Sequence, residues 1–416
     1  MRILVVTNLF PPDIRGGYEV RCAGVVEYLR RRHDVVVLTT AHGRCKRCVE
    51  PHVLRELPFL ETDARGVVLR APAASLRAAH TVKRVLGEFA PDFVYVWNGW
   101  NIPHSALFVL QQARLPLAFS VGEQWFARIY SGDKFMRHLT PGRRGLRLVW
   151  GGLMRGVNLH PDLRLRLDVV GEAAVAWNSN ALRRSVGIPP GIAPVLERVI
   201  YPAPTRYDYF SNLERKPGDG ASIAFVGRIE RAKGPEIAVR ALAGLRTRHG
   251  LRARLVLAGR EDPGMRRDID RLAEDLGVKG QVDLPGFLGT EALGRLLSEA
   301  DAIVIPSTWL EPFGIVSLEA ALARVPIVAA RSGGLTEAIR EGEHALFFPA
   351  RDADACADAL AATLRDGDAT AARVTRAFAH ARTFSFERHA EAHERFIRDA
   401  LSAFGRPSEG RQGITS

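Results

Sequence analysis

The chain has 416 residues, 47% hydrophobic and 25% charged, which is ordinary globular composition and length enough for two or three domains. Its net charge of +12 favours anionic partners: nucleotides, phosphates, a membrane surface or nucleic acid. No apolar run approaches the roughly 18 residues of a membrane-spanning helix, and the four cysteines Cys22, Cys45, Cys48 and Cys356 make no disulfide framework, which points to the cytoplasm.

Residues 1–10 are apolar but run into Pro11-Pro12-Asp13 without a small-residue cleavage site, so they read as a first strand rather than a signal peptide. A helix is expected over 18–31, and strands over 34–40, 66–70, 93–97 and 116–121, with helices over 81–89 and near 105–112. Residues 126–167 break this rhythm: they are basic and carry Phe135, Leu148 and Trp150. Helix and then strand resume over 169–178, and 199–200 read as the last strand of this half. Residues 201–220 hold Pro202, Pro204 and Pro217 and read as a linker region. A second alternating unit follows, with strands over 222–226, 254–258, 281–284, 302–305, 326–330 and 345–348. Three consecutive helices, 352–365, 368–382 and 386–404, lead to a polar tail. Such alternation predicts an α/β fold of parallel sheets with helices on both faces.

The most informative stretch is Ser307-Thr-Trp-Leu-Glu-Pro-Phe-Gly-Ile-Val-Ser-Leu-Glu319. It follows an apolar strand and enters a segment with helical spacing. Glu311 falls in the loop at the strand's end and Glu319 about one turn inside the helix. Pro312 suits a helix start, and Gly314 allows close approach to the backbone. The N–H groups and positive dipole end of that helix offer an anion site between two carboxylates able to accept from hydroxyls, which is what a phosphorylated sugar needs. In Gly227-Arg-Ile-Glu-Arg-Ala-Lys-Gly234, Gly227 follows a buried strand, and Arg228 and Lys233 straddle a short loop, a pairing suited to a diphosphate. The loop 11–17 ends in Gly16-Gly17 at a helix start and could turn backbone N–H groups to a phosphate. It is neither a dinucleotide fingerprint nor a P-loop.

Glu311-Pro-Phe-Gly, the seven residues between Glu311 and Glu319, and Arg331-Ser-Gly-Gly-Leu-Thr-Glu337 resemble the donor-site signature of retaining GT-B glycosyltransferases of family 4. The Gly227–Gly234 stretch is similar to that family's diphosphate element, and Gly16-Gly17 to its first loop. The resemblance implies two Rossmann-like domains facing across a cleft: an acceptor-binding domain over 1–203, a linker over 204–220, a sugar-nucleotide-binding domain over 221–384, a helix over 385–404 crossing back to the first domain, and a flexible tail over 405–416. It implies transfer of a sugar from a nucleotide-sugar donor to a hydroxyl of a glycan, lipid or small natural product, with no metal and no protein nucleophile. Glu311 would meet a hydroxyl of the donor sugar and Glu319 the ribose. The amides of Phe313, Gly314 and Ile315 would meet sugar or phosphate, with Arg228 and Lys233 on the diphosphate.

In one place the chain departs from that pattern. Where the family often has a His near the donor sugar, Ser120-Val-Gly-Glu-Gln puts Gly122, followed by Glu123, and the earlier segment offers Asn98. Either Glu123 or Asn98 reaches the sugar, Glu123 as acceptor base or orienting group, or the donor lacks the group that the His would meet. His104 reads as a surface residue. His42, Cys45 and Cys48 fall short of a zinc set, and Asp268/Asp270 and Asp352/Asp354 read as solvated helix faces. The basic segment 134–166 is either a solvated insertion or a functional one, an acceptor loop or a peripheral contact with an anionic membrane at its inner face; no nucleic-acid-binding module accompanies the charge. An epimerase on the same architecture, or a catalytically impaired nucleotide-sugar-binding partner protein, are the other classes compatible with these residues.

Overall fold

The computed structural model describes residues 1–42, 50–60, 67–127, 171–216 and 220–405. By its contacts the chain divides into two units: one of residues 1–178, 183–200 and 390–416, the other of 179–182 and 201–389. The basic segment 134–166, Cys45 and Cys48, and the tail beyond residue 405 lie outside the described residues.

The first unit is a sheet of seven parallel strands: β1 (Arg2–Thr7), β2 (Asp34–Thr40), β3 (Val53–Leu57), β4 (Phe93–Asn98), β5 (Leu117–Val121), β6 (Gly171–Trp177) and β7 (Ile192–Val199). Their order is β3-β2-β1-β4-β5-β6-β7. Between them run α1 (Gly17–Arg30), α2 (Val67–Phe89), α3 (His104–Gln112) and α4 (Asn180–Val186), of which residues 180–182 count with the second unit. β1, β4 and β5 are buried over almost their whole length. That explains their near-continuous Val/Ile/Leu/Phe character, as expected for parallel strands covered on both faces.

Three local readings are corrected here. Residues 67–70 are helical, not a strand, because they open the 23-residue α2; the β preference of a Val-Val-Leu run is a weak prior that tertiary context overrides. The edge strand is instead β3, whose Arg55 and Glu56 interrupt the apolar pattern. The last strand begins at Ile192, seven residues earlier than its sequence suggests. His104, read as a surface residue, is buried at the start of α3.

In the second unit the strands are β8 (Ala221–Val226), β9 (Ala253–Ala258), β10 (Val282–Gly286), β11 (Ala302–Ile305), β12 (Ile327–Ala330) and β13 (Leu346–Phe348). They form a sheet in the order β10-β9-β8-β11-β12-β13, again all parallel. The helices are α5 (Tyr207–Ser211), α6 (Pro235–His249), α7 (Met265–Asp275), α8 (Thr290–Glu299), α9 (Ile315–Leu322), α10 (Leu335–Ala338), α11 (Ala353–Arg365) and α12 (Gly367–Ala381). Residues 207–211, inside the stretch read as a linker, are therefore helical.

The strands' alternation divides the core cleanly. Ile223, Phe225, Val304 and Val328 pack with α6 and α11 on one face, whereas Ala224, Ile303, Ile305, Ile327 and Ala329 pack with α8 and α9 on the other. Each fully buried Ile or Leu contributes about 1.5–3 kcal/mol.

The last helix, α13 (Phe386–Phe404), enters the first unit from Ala390 onward. There Glu394 accepts from Arg32 at 2.9 Å and lies 3.1 Å from His33 Nε2, and the Tyr95 hydroxyl lies 2.7 Å from His393 Nδ1. Burial would push the Glu394 carboxyl up, but His33 and Arg32 hold it below the usual range.

In the second unit His344 and His380 stack with ring centroids 4.3 Å apart. Burial lowers both pKa values, and for His344 the neighbouring His380 lowers it further. Folding therefore disfavours protonation of the pair. Their neutral packing is intact above the ordinary imidazole value of about 6.5 and is penalised as pH falls through it toward the lower folded values. The melting midpoint should therefore drop between pH 7 and pH 5 more steeply in the native chain than in His380→Gln, and parallel pH profiles would rule out this origin.

Candidate active site

The second unit's sheet reverses direction between β8 and β11: the chain runs outward through β9 and β10, then crosses back. The carboxyl ends of strands at such a point leave a crevice between diverging loops. Gly227 and Arg228 follow β8, and residues 306–314 follow β11.

These loops are clasped together. Thr308 N–H donates to Ala232 O at 2.9 Å and its hydroxyl to Arg231 O at 2.8 Å. The clasp sets Lys233 against Glu311, 78 positions away in sequence, with Nζ donating to Oε1 at 2.9 Å and Oε2 at 2.8 Å. Ser307 Oγ and Trp309 Nε1 also donate to Oε2, at 2.9 and 3.1 Å, and the Trp309 ring lies 5.0 Å from Nζ. The two side chains are 20% and 9% exposed. Burial alone would push the Glu311 carboxyl up; the charge and hydrogen bonds of Lys233, with those of Ser307 and Trp309, hold it below its ordinary value. Glu311 is thus an ionised acceptor at neutral pH.

A carboxylate offers about four lone-pair directions and an ammonium three N–H bonds. Among the described residues Oε2 is fully engaged, Oε1 takes only Lys233, and Lys233 spends two N–H groups on Glu311. One acceptor direction and one cationic donor remain, side by side.

The following backbone is held by Gly333-Gly334. Gly334 N–H donates to Glu311 O at 2.7 Å. A Cβ on Gly334 would sit 2.3 Å from Pro312 O, and one on Gly333 2.5 Å from Glu311 O. Gly314 caps α9 at φ 85°, a left-handed conformation that glycine adopts without strain. Among the described residues, nothing accepts from the N–H groups of Phe313, Gly314 and Ile315, so the positive end of α9 is open to an anion. Glu319 lies half-buried inside α9. Arg228 is about half exposed and donates to Glu230 at 2.8 Å. Burial raises the Glu230 pKa against the pull of Arg228 and Lys233.

Gly227, Arg228, Lys233, Glu311, Phe313, Gly314, Ile315 and Glu319 therefore all belong to the second unit. Gly16, Gly17 and Glu123 belong to the first. Gly16 N–H, expected to face a phosphate, donates to Glu19 at 2.9 Å. Sequence reading missed Ser307 and Trp309 as donors to Glu311. It also missed Ser332, whose hydroxyl accepts from Glu311 N–H at 3.3 Å and donates to Trp309 O. Their only signal was their place in the same two strings. Glu337 accepts from Ala181 N–H at 2.6 Å, from Asn180 N–H at 2.9 Å and from the Tyr201 hydroxyl at 3.0 Å, a structural role that spacing did not suggest. Among the described residues no three His, Cys, Asp or Glu side chains gather as a metal-holding group, and no helix is long and apolar enough to cross a membrane.

Residues 210–379 match the family "Glycosyl transferases group 1". An uncharacterized glycosyltransferase of Methanocaldococcus jannaschii is 27% identical over 396 residues, covering 88% of this chain and 90% of that one. A D-inositol 3-phosphate glycosyltransferase of Acidothermus cellulolyticus is 38% identical over 192 residues, covering 45% of this chain, so that the match spans only 42% of that relative's length. Among solved structures, Anabaena HepE in complex with UDP and glucose is similar with a TM-score of 0.65 at 20% identity, covering 96% of this chain and 100% of that one. A sucrose-phosphate synthase from Thermosynechococcus elongatus is similar with a TM-score of 0.68, also at 20% identity, covering 97% and 99%. Taken with the two parallel sheets, these likenesses show that residues 210–379 form a domain of the glycosyl transferases group 1 family, in a chain built on the GT-B fold of two Rossmann-like domains.

Proposed function

We propose that the chain is a retaining hexosyltransferase of family 4, moving a sugar from a nucleotide-sugar donor to a hydroxyl of an acceptor. The observation that carries this reading is the buried Lys233–Glu311 pair beside the open N-terminus of α9. Complexes with UDP and glucose, and with UDP-glucose, in the similar Anabaena protein support a nucleotide-sugar donor.

In this reading the remaining acceptor direction on Glu311 takes one hydroxyl of the donor sugar, and Glu319 takes the ribose. The third N–H of Lys233, Arg228 and the α9 amides bind the diphosphate. Negative charge grows on the leaving phosphate as the glycosidic bond breaks, and these preformed donors stabilise it where it develops. The acceptor hydroxyl attacks the face from which the phosphate departs, and the phosphate takes its proton, so configuration is retained without a protein nucleophile.

Calorimetry with bare nucleoside diphosphates (UDP, GDP and ADP) tests the assignment. Glu319→Gln should weaken binding of the tightest of them by about tenfold, the worth of one charge-assisted bond. Glu311→Gln should not weaken it, because no sugar is present and Lys233 loses its counter-charge, but should lower kcat strongly once an acceptor is supplied. Equal loss in both variants, or loss in Glu311→Gln alone, would overturn the assignment.

A further inference from the structure

Two carboxylates stand in the loops that carry Arg228 and Lys233, and their surroundings differ. Glu311 is held ionised by Lys233, Ser307 and Trp309. Glu230 has no such set. It leads into the short 3₁₀ turn Arg231–Lys233, yet its side chain does not cap that turn. Among the described residues its one ion pair is with Arg228, whose Nη1 lies 2.8 Å from Oε2.

The backbone enforces that pairing. Ile229 is fully buried and bridges to Glu261 in the loop after β9. Its N–H donates to Arg260 O at 2.8 Å, and its carbonyl accepts from Asp262 N–H at 3.0 Å. In extended backbone alternate side chains share a face, so burying Ile229 turns Arg228 and Glu230 together toward the opposite one. Their side chains are 55% and 12% exposed. The same pinning brings Asp262 near Glu230.

Burial is the largest influence on the Glu230 carboxyl and raises its pKa. Arg228 and Lys233 favour its ionised form, whereas Asp262 and Glu311 oppose it, and the balance lies above the ordinary value. Glu311 is displaced the other way. Neighbouring carboxylates pushed in opposite directions divide the roles: one keeps its charge and the other can change it. Without a ligand, the pairs Arg228/Glu230 and Lys233/Glu311 balance and leave no net charge to draw a diphosphate. An arriving diphosphate competes with Glu230 for Arg228 and sets a like charge beside it. Both effects favour the protonated carboxyl.

We propose that Glu230 is an exchangeable counter-ion of the diphosphate site: it holds Arg228 in the ligand-free protein, yields Arg228 to the diphosphate, and takes a proton from solvent as it does so. This rests on the transferase reading above. The complex then binds more protons than the free protein, so by linkage Glu230 favours binding at lower pH.

Calorimetry with UDP, GDP and ADP from pH 8 to pH 5.5, on the native chain and on the isosteric Glu230→Gln, tests this. The nucleotide's own titration is common to both chains and cancels in the comparison. Glu230→Gln imitates the protonated carboxyl. At pH 8 it should bind the tightest nucleotide about tenfold more tightly than the native chain, the equivalent of one pKa unit, and the advantage should shrink as pH falls. Near pH 6, in buffers of different ionisation enthalpy, the native chain should take up more protons per bound nucleotide than the variant. Equal affinity at pH 8, or weaker binding by Glu230→Gln at every pH, would mean that Glu230 only positions Arg228, and overturns the proposal. An advantage that stays constant across the range would mean fixed repulsion without protonation, and overturns the exchange likewise. Binding of none of the three nucleotides by either chain would instead remove the diphosphate site, and the transferase reading with it.

Discussion

Lys233→Ala is expected to lower turnover at saturating donor by roughly 10²-fold or more, as loss of a preorganised electrostatic donor does, and to destabilise the protein as well. The second effect follows from geometry. Glu311 is 9% exposed and Lys233 is its only cationic partner among the described residues. Removing one member of a buried pair leaves an uncompensated charge, at about 3–5 kcal/mol. Kinetics and thermal melting of Lys233→Ala against the double variant Lys233→Ala/Glu311→Gln separate the two effects. The double variant should regain most of the melting midpoint and none of the turnover. The stability gap between the native chain and Lys233→Ala should also narrow on acidification. Because the folded carboxyl titrates below its ordinary value of about 4.5, the contribution of the pair is present above that value and is lost as pH falls through the lower one. A gap that is constant from pH 7 to pH 3 would show that the pair contributes nothing to stability.

Gly334→Ala should be nearly as damaging, although the position has an ordinary helical φ of −67°. The obstacle is steric. The new methyl would sit 2.3 Å from Pro312 O and 2.9 Å from Phe313 Cα, both backbone atoms that cannot rotate away. Overpacking of this kind costs about 1–3 kcal/mol. The displaced backbone is the one that carries Glu311 and opens α9, so nucleoside diphosphate affinity should fall about tenfold or more along with the melting midpoint. Gly367→Ala, where a Cβ meets nothing within 4 Å, is the matched control. Native affinity in Gly334→Ala would mean that the loop tolerates the shift and that its close approach is not needed for binding.

Much of the architecture was readable in the chain itself. All six strands of the second unit follow from short apolar runs bounded by Gly and Pro, because parallel strands covered on both faces must be apolar throughout. The first unit was less legible at β3 and α2. A charged edge strand carries little pattern, and Val67-Val68 has a local preference that the longer helix overrode. Glu311, Glu319, Arg228 and Lys233 could be picked out because their loops directly follow such strands.

What the sequence determined by itself was therefore the alternation of strands and helices, the loops that carry chemistry, and the residue types available there. Only the tertiary structure decided which of those residues meet. Lys233 and Glu311, given separate partners from their spacing, are bound to each other because β8 and β11 are neighbours in the sheet, an adjacency that 78 residues of intervening chain conceal. The vacancy at Gly122 looked like a lost group in the sequence, yet it is filled by Tyr18 and Asn178 from two other elements. Strand order and side-chain packing are long-range outcomes of burying both faces of a sheet at once. Local pattern specifies each element's faces but not its neighbours.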